Sequence, residues 1–273
     1  MIRGLYTAAS SMLAGMRQQE VISNNLANAN TVGFRSDQAE LKAFPLMFLQ
    51  RLFDTNRDSN GDLLPSYQVG GINTGLMVDQ VTTNFKEGSI RETNNTLDMA
   101  IRDTAGPNSP PSFFAVQTPN GTQFTRDGSF SLNANGELVT NQGFRVLGAG
   151  GAPIVFPQAA VTPGADVKVG PNGAITLNNN PVGQLQIVAF ANPVALDKPG
   201  NTLFAQNVRS GPPTPANPGD FVIQDHALEL SNVDPVRSMA EMMDTMRAYE
   251  MNQKMVQAQD LILGQAVNDI AKV

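Results

Sequence analysis

The sequence predicts an α+β fold, with N- and C-terminal helices paired as a coiled-coil-like base and a β-rich domain inserted between them. Three observations predict it. A three-four apolar rhythm is confined to the two ends, turn residues crowd the middle, and the composition shifts near residues 43 and 229. A chain of 273 residues suffices for one large domain or two smaller ones.

At the N-terminal end, Ile2, Leu5, Ala9, Met12 and Met16 recur at alternating spacings of three and four and share one helical stripe. The stripe runs to about Leu26, after which Asn28, Asn30 and Gly33 supply turn chemistry. The stretch 1–19 resembles a secretory signal only superficially, because Thr7, Ser10 and Ser11 interrupt its apolar run. The expectation is that a protein leaving the cytoplasm would carry this segment with it.

In the middle, strands are expected over 113–117, 122–124, 128–132, 138–140, 167–169, 174–177 and 185–190. Their boundaries are turn clusters: Pro119-Asn120-Gly121, Arg126-Asp127-Gly128, 133–136 and a hairpin turn at 178–180. Pro212, Pro213, Pro215 and Pro218 mark an extended return. The expected organisation is a helical polymerisation domain from 1–42 and 229–273, an extended connector from 43–84 and 205–228, and a β-rich outer domain over 85–204.

At the C-terminal end, Asp234 followed by Pro235 is a helix start, since an Asp oxygen caps free amides and Pro costs no hydrogen bond at the first position. The helix should reach about Ile270. Met239, Met242, Met246, Tyr249, Val256, Leu263, Val267 and Ile270 keep the three-four rhythm, with Gln253 and Asp260 as polar exceptions. Met251, Met255, Ala258 and Ile262 form a second stripe, so the apolar surface is wider than one partner helix needs. Methionine stripes usually mean core packing; the extra width on a terminal helix predicts a core shared between molecules. Arg237–Glu241 and Glu250–Lys254 are i,i+4 pairs contributing only about 0.2–0.5 kcal/mol each.

Several function classes find no support. A net charge of -6 and a pI near 4.8 leave no cationic excess for nucleic acid, and no apolar run approaches the roughly 20 residues that span a bilayer. There is no cysteine and one histidine, His226, so thiolate chemistry, triads and the usual metal clusters lack their residues. Asp54, Asn56, Asp58, Asn60 and Asp62 alternate oxygen ligands like a calcium loop, with Gly61 at position six but Tyr67 where a bidentate Glu belongs. The plain reading of that stretch is a solvated turn. Gly148, Gly150 and Gly151 precede Pro153 and a strand-like run, which suits a turn better than a phosphate cradle. No catalytic residue, cofactor or metal ligand is assigned.

Three blocks carry a resemblance. Residues 23–35, reading Ser-Asn-Asn-Leu-Ala-Asn-Ala-Asn-Thr-Val-Gly-Phe-Arg, closely resemble the signature of flagellar basal-body rod and hook proteins. So does Leu230-Ser231-Asn232-Val233-Asp234, followed by a Met-rich helix with Arg247, Tyr249, Glu250 and Asn252. Thr125-Arg126-Asp127-Gly128-Ser129-Phe130 and residues 132–143 are similar to the family's central β region, most of all to its distal-rod type. This chain departs from the family by a Pro-rich insertion over 104–112, ahead of Phe113-Phe114, and divergent rod proteins of Gram-positive bacteria offer a comparison.

The resemblance implies a structural subunit of the flagellar basal-body rod, not an enzyme, located outside the cytoplasmic membrane. It implies export unfolded through the flagellar type III apparatus, then helical stacking beneath the hook with terminal helices inside and the β domain outward. Partners would be copies of itself, neighbouring rod or hook subunits and the export apparatus, without nucleic acid or membrane insertion. The expected interface comprises Leu5, Met12, Met16, Asn24, Asn25, Leu26 and Asn28 at one end, and Asn232, Val233, Met239, Met242, Met246, Tyr249, Val256 and Leu263 at the other. The competing readings are a secreted or surface β-domain protein with helical adaptor ends, and a cell-wall hydrolase using a carboxylate pair.

Overall fold

The computed structural model describes residues 2–45, 47–50, 68–72, 75–104, 106, 109–157 and 167–270. The calcium-like stretch 54–62 lies outside the described residues. The chain divides into two compact units: Met1–Ser23, Gln38–Thr82 and Val236–Val273 contribute to the first, Asn24–Asp37 and Thr83–Pro235 to the second.

The first unit is built on α1 (Ile2–Ala27) and α2 (Pro235–Ile270), the two helices the periodicity predicts. They pack together and run antiparallel: Gly4 lies against Gln259, and Gly15 against Thr245. On α1 the seam is made mostly of small residues. On α1 it follows Gly4, Ala8, Ser11, Gly15, Gln18 and Ile22, all buried or half-buried at alternating steps of four and three. On α2 the same rhythm selects Ser238, Met242, Thr245, Tyr249, Asn252, Val256, Gln259, Leu263 and Ala266. A β-carbon on Gly4 would sit 2.7 Å from Gln259 Nε2, so the small side chains of α1 draw the helices close. On α2, Ser238, Thr245 and Asn252 alternate there with Met242, Tyr249, Val256 and Leu263.

The same unit contains a ribbon of strands Asp37–Ala43 and Leu76–Thr83, and an antiparallel pair Met47–Gln50 and Gln68–Ile72. Gly75, at φ +149°, is buried where a β-carbon would collide with Ser10 Oγ of α1; any other residue would push the ribbon away.

The second unit holds the β core. One eight-stranded sheet contains, in spatial order, Leu203–Phe204, Gly121–Thr125, Ser112–Thr118, Arg145–Val146, Leu138–Thr140 and Phe130–Leu132. Ile187–Ala189 pairs with the start of Ser112–Thr118 and carries Thr214–Pro215 on its other side. A three-stranded sheet joins Val167–Val169, Ala174–Leu177 and Asn180–Gln184, and two antiparallel pairs join Met99–Asp103 to Phe221–Asp225 and Ile90–Glu92 to Ala227–Glu229.

Strand Ser112–Thr118 explains why this insert folds. Its side chains alternate between two apolar clusters. Phe114 and Val116 enter the larger one with Met99, Ile101, Phe130, Leu138 and Phe156, while Phe113 and Ala115 enter the other with Phe124, Phe190 and Phe204. Phe113 meets Phe204 at 5.4 Å and Phe190 at 6.0 Å between ring centroids, distances at which tilted aromatic pairs attract.

The strands predicted over 138–140, 167–169 and 174–177 have those bounds, and the hairpin at 178–180 turns on Asn178 and Asn179, at φ +49° and +64°. Two expected strands are shorter than the sequence suggests. That over 128–132 begins only at Phe130, because Gly128 presses on the Met99 carbonyl and Asp127 Oδ1 draws Ser129 into a turn. That over 185–190 reduces to Ile187–Ala189, while Leu185 forms a lone bridge with Gly148.

Candidate functional site

The three blocks singled out in the sequence meet at one buried ionic cluster in the second unit. Arg35 ends the N-terminal block, Arg126 lies in the central one, and Glu229 immediately precedes the C-terminal one. All three side chains are sealed from solvent. Arg35 Nη2 sits 2.7 Å from Glu229 Oε1, and Arg126 Nε donates to Glu229 Oε2 at 2.9 Å, so a single carboxylate is shared by two guanidinium groups. Arg126 also pairs with Asp103 at 3.1 Å and with exposed Glu87 at 3.4 Å, and donates to the carbonyls of Ser112 and Ile101. Arg35 donates to the Lys86 carbonyl, and Gly88 N–H donates to Glu229.

Burial works against the charge on Arg126, but Glu229, Asp103 and Glu87 outweigh it and hold its pKa above the ordinary value. For Arg35 burial wins, helped by repulsion from Arg126, and its pKa falls below the ordinary value despite Glu229. Removing Glu229 would leave two buried guanidinium groups without their shared carboxylate, which is far more costly than the net worth of the intact set.

The rest of the N-terminal block is held just as closely. Asn25 makes a two-way bond with the Asp37 backbone, donating to its carbonyl at 2.7 Å and accepting from its N–H at 2.9 Å. Asn28 donates to the Asn24 carbonyl and accepts from Asn201 at 2.9 Å. Gly33, at φ +67°, lies where a β-carbon would stand 2.4 Å from Asp127 N, so this glycine is required both by its conformation and by the close approach. Phe34 is fully buried with Lys198 Nζ 4.1 Å above its ring, and Lys198 also donates to the Arg35 carbonyl and to Asp37, each at 2.8 Å. Burial lowers the Lys198 pKa, against the pull of Asp37. Asn232 accepts from Ser36 N–H and donates to the Asn84 and Lys86 carbonyls, tying the approach to α2 to the segment after α1.

The expected interface residues therefore divide. Asn25 and Asn28 are buried and bonded within the chain; Asn24 is exposed, and Leu26, Asn232 and Val233 are half-buried. On the helices, Met242, Tyr249, Val256 and Leu263 lie on the seam facing α1, while Leu5 and Met12 are half-buried beside it. Met16, Met239 and Met246 are exposed, as are Tyr6, Leu13, Met243, Met251, Met255, Leu261, Ile262 and Val267. Beside α1 an open apolar groove of about 540 Å3 is lined by Leu13, Ala14, Val21, Phe44, Leu76, Met77 and Val81. α1 thus turns mainly small groups to the seam, α2 alternates short polar with large apolar ones there, and both leave further large apolar side chains exposed.

The ionic cluster escaped the sequence reading because three charges separated by a hundred residues or so leave no local pattern. Their only mark is that each lies in or beside a block dominated by small, amide or turn residues. His226 is partly exposed beside Asp225 at 3.5 Å, and its positive φ serves the bend between two short strands. Among the described residues, no group of three or more His, Asp or Glu is arranged to hold a metal, and no helix is long and apolar enough to cross a membrane.

A sealed β body latched by an internal ionic cluster, joined in sequence to paired terminal helices with apolar outer faces, defines a structural subunit. Residues 5–35 match the model for flagella basal body rod proteins, 111–177 that for the flagellar hook protein FlgE/F/G D1 domain, and 224–269 that for the flagellar basal body rod FlgEFG protein C-terminal region. The chain is 32% identical to the flagellar hook-basal body complex protein FlhO of Bacillus subtilis over 100% of both chains. It is 34% identical to the flagellar basal-body rod protein FlgG of Caulobacter vibrioides over 96% of this chain and 97% of that one. Against FlgG of Bacillus subtilis the identity is 32%, over 98% and 99%. The chain belongs to the flagellar basal-body rod family: it is a non-enzymatic structural subunit of the rod, outside the cytoplasmic membrane, that assembles with other rod subunits.

Proposed function

We propose that this subunit polymerises helically beneath the hook through the outer faces of its terminal helices, after export through the flagellar type III apparatus. Residues 1–42 and 229–273 act as the polymerisation domain, 43–84 and 205–228 as connector, and 85–204 as the outward β domain. Copies of the same chain and adjoining rod or hook subunits cover Leu5, Met12, Met16, Met239 and Met246, while Met242, Tyr249, Val256 and Leu263 hold the helix pair that presents them. Leu26, Val233 and the amides of Asn24, Asn25, Asn28 and Asn232 belong to the same assembly region, with Asn25, Asn28 and Asn232 held by bonds within the chain.

The observation that carries this reading is the helix pair, whose α1 seam is Gly4, Ala8, Ser11 and Gly15 while Leu13, Met243, Leu261 and Ile262 stand in solvent. An isolated two-helix base would gain more by burying the large side chains, since burial of each contributes roughly 1.5–3 kcal/mol. Their outward placement is explained when neighbouring subunits bury them. The test is Met243→Asp with Ile262→Asp, followed by electron microscopy of basal bodies. The expected result is truncated rods from a chain whose β body melts like the parent's; full-length rods in normal number would refute the reading.

A further inference from the structure

The chain has twelve methionines and no cysteine, so thioether sulfur is its only oxidisable sulfur. The methionines are unequally placed. Met239, Met243, Met246, Met251 and Met255 are 42–65% exposed on α2, with Met16 of α1 and Met77 exposed at 48% and 38%, whereas Met99 is completely buried in the β core. Beyond Met255 the exposed apolar positions of α2 are Leu261, Ile262 and Val267, which peroxide does not attack.

We propose that these five methionines are an oxidation site that switches the free subunit to an assembly-incompetent form. The inference rests on the helix-face reading above. A hydroperoxide transfers one oxygen to the thioether sulfur: the S–O bond forms as the O–O bond breaks, sulfur is oxidised by two electrons, and hydrogen peroxide leaves as water. The product is a polar, chiral sulfoxide where a soft apolar side chain stood. In the free subunit the new dipole is hydrated and costs nothing. Buried against neighbours without a hydrogen-bond donor it is penalised, and five such groups on the exposed surface of one helix act together. The second unit is untouched, because Met99 is inaccessible and the ionic cluster contains no sulfur. The oxidised chain therefore stays folded in its β body while losing its adhesive face, and sulfoxide reduction restores that face.

The test uses the purified full chain. Dilute subunit is treated with hydrogen peroxide, sulfoxides are mapped by peptide mass spectrometry, and the concentration at which the chain sediments as polymer is measured before and after. The expected result is sulfoxide at the five α2 positions while Met99 stays reduced, with the assembly concentration raised by about tenfold or more. Treatment with the two methionine sulfoxide reductases and dithiothreitol should return it to the starting value. Unchanged assembly at full α2 oxidation, oxidation of Met99 in step with the five, or a loss that the reductases do not reverse would each overturn the proposal. A chain that never sediments as polymer before oxidant is added would instead sink the assembly reading, and this inference with it.

Discussion

The buried ionic cluster and the α1–α2 pair solve opposite problems with the same chain. Around Glu229 the polar groups converge and exclude water; along the helices many large apolar groups, Leu13, Met243, Leu261 and Ile262 among them, are turned away from the molecule's own seam. The difference teaches where each part draws its stability. The β body buries its charges and its apolar clusters within itself, and the helix pair leaves much of its apolar surface uncovered.

The largest expected effect attacks that contrast at the cluster. Glu229→Ala leaves two buried guanidinium groups without their shared carboxylate and should lower the stability of the β body by about 3–5 kcal/mol in urea unfolding. A loss under about 1 kcal/mol would mean that Asp103 and Glu87 suffice, and the cluster would no longer differ in kind from a surface pair. Next comes Asn232→Ala, which removes an acceptor from Ser36 N–H and a donor from two carbonyls; about 1–3 kcal/mol should be lost in the same assay.

On the helices the signs change. Gly15→Ala should stabilise the isolated chain by about 0.5–1 kcal/mol, since alanine favours helix and its β-carbon would meet Thr245 Cγ2 at an ordinary 3.8 Å. Destabilisation in a circular dichroism melt would show the seam to be tighter than described. The smallest effect is a pH dependence. Burial raises the Asp127 pKa above the ordinary 3.8, against two hydrogen bonds from Ser129. A raised carboxyl contributes stability that is full below 3.8 and is lost as pH rises through its folded value. Asp127→Asn, which keeps an acceptor for Ser129, should flatten that acid-side slope, measured as melting temperature against pH.

The legible parts of the fold were those with a local cause. Asp234-Pro235 marked the start of α2, alternation and turn residues fixed Leu138–Thr140 and Ala174–Leu177, and paired asparagines announced a left-handed turn. On α2 the apolar rhythm picks out the seam at Met242, Tyr249, Val256 and Leu263, whereas on α1 it runs beside the seam, because apolar periodicity ranks leucine and methionine above glycine and serine while close approach of two helices selects the small residues. Asn25 and Asn28 were legible as special but not in their partners, which lie on the Asp37 backbone and on Asn201. No window of sequence contains Arg35, Arg126 and Glu229 together.

That separation also sets a timetable. Glu229 lies 103 residues beyond Arg126, and farther still beyond Arg35, so in a chain made N-terminus first Arg126 already has Asp103 and Glu87 before it in sequence while Arg35 waits for its carboxylate. Until Glu229 arrives, Arg35 favours water over the core. Glu229 is thus the clasp: the cluster closes only when the C-terminal block joins the other two.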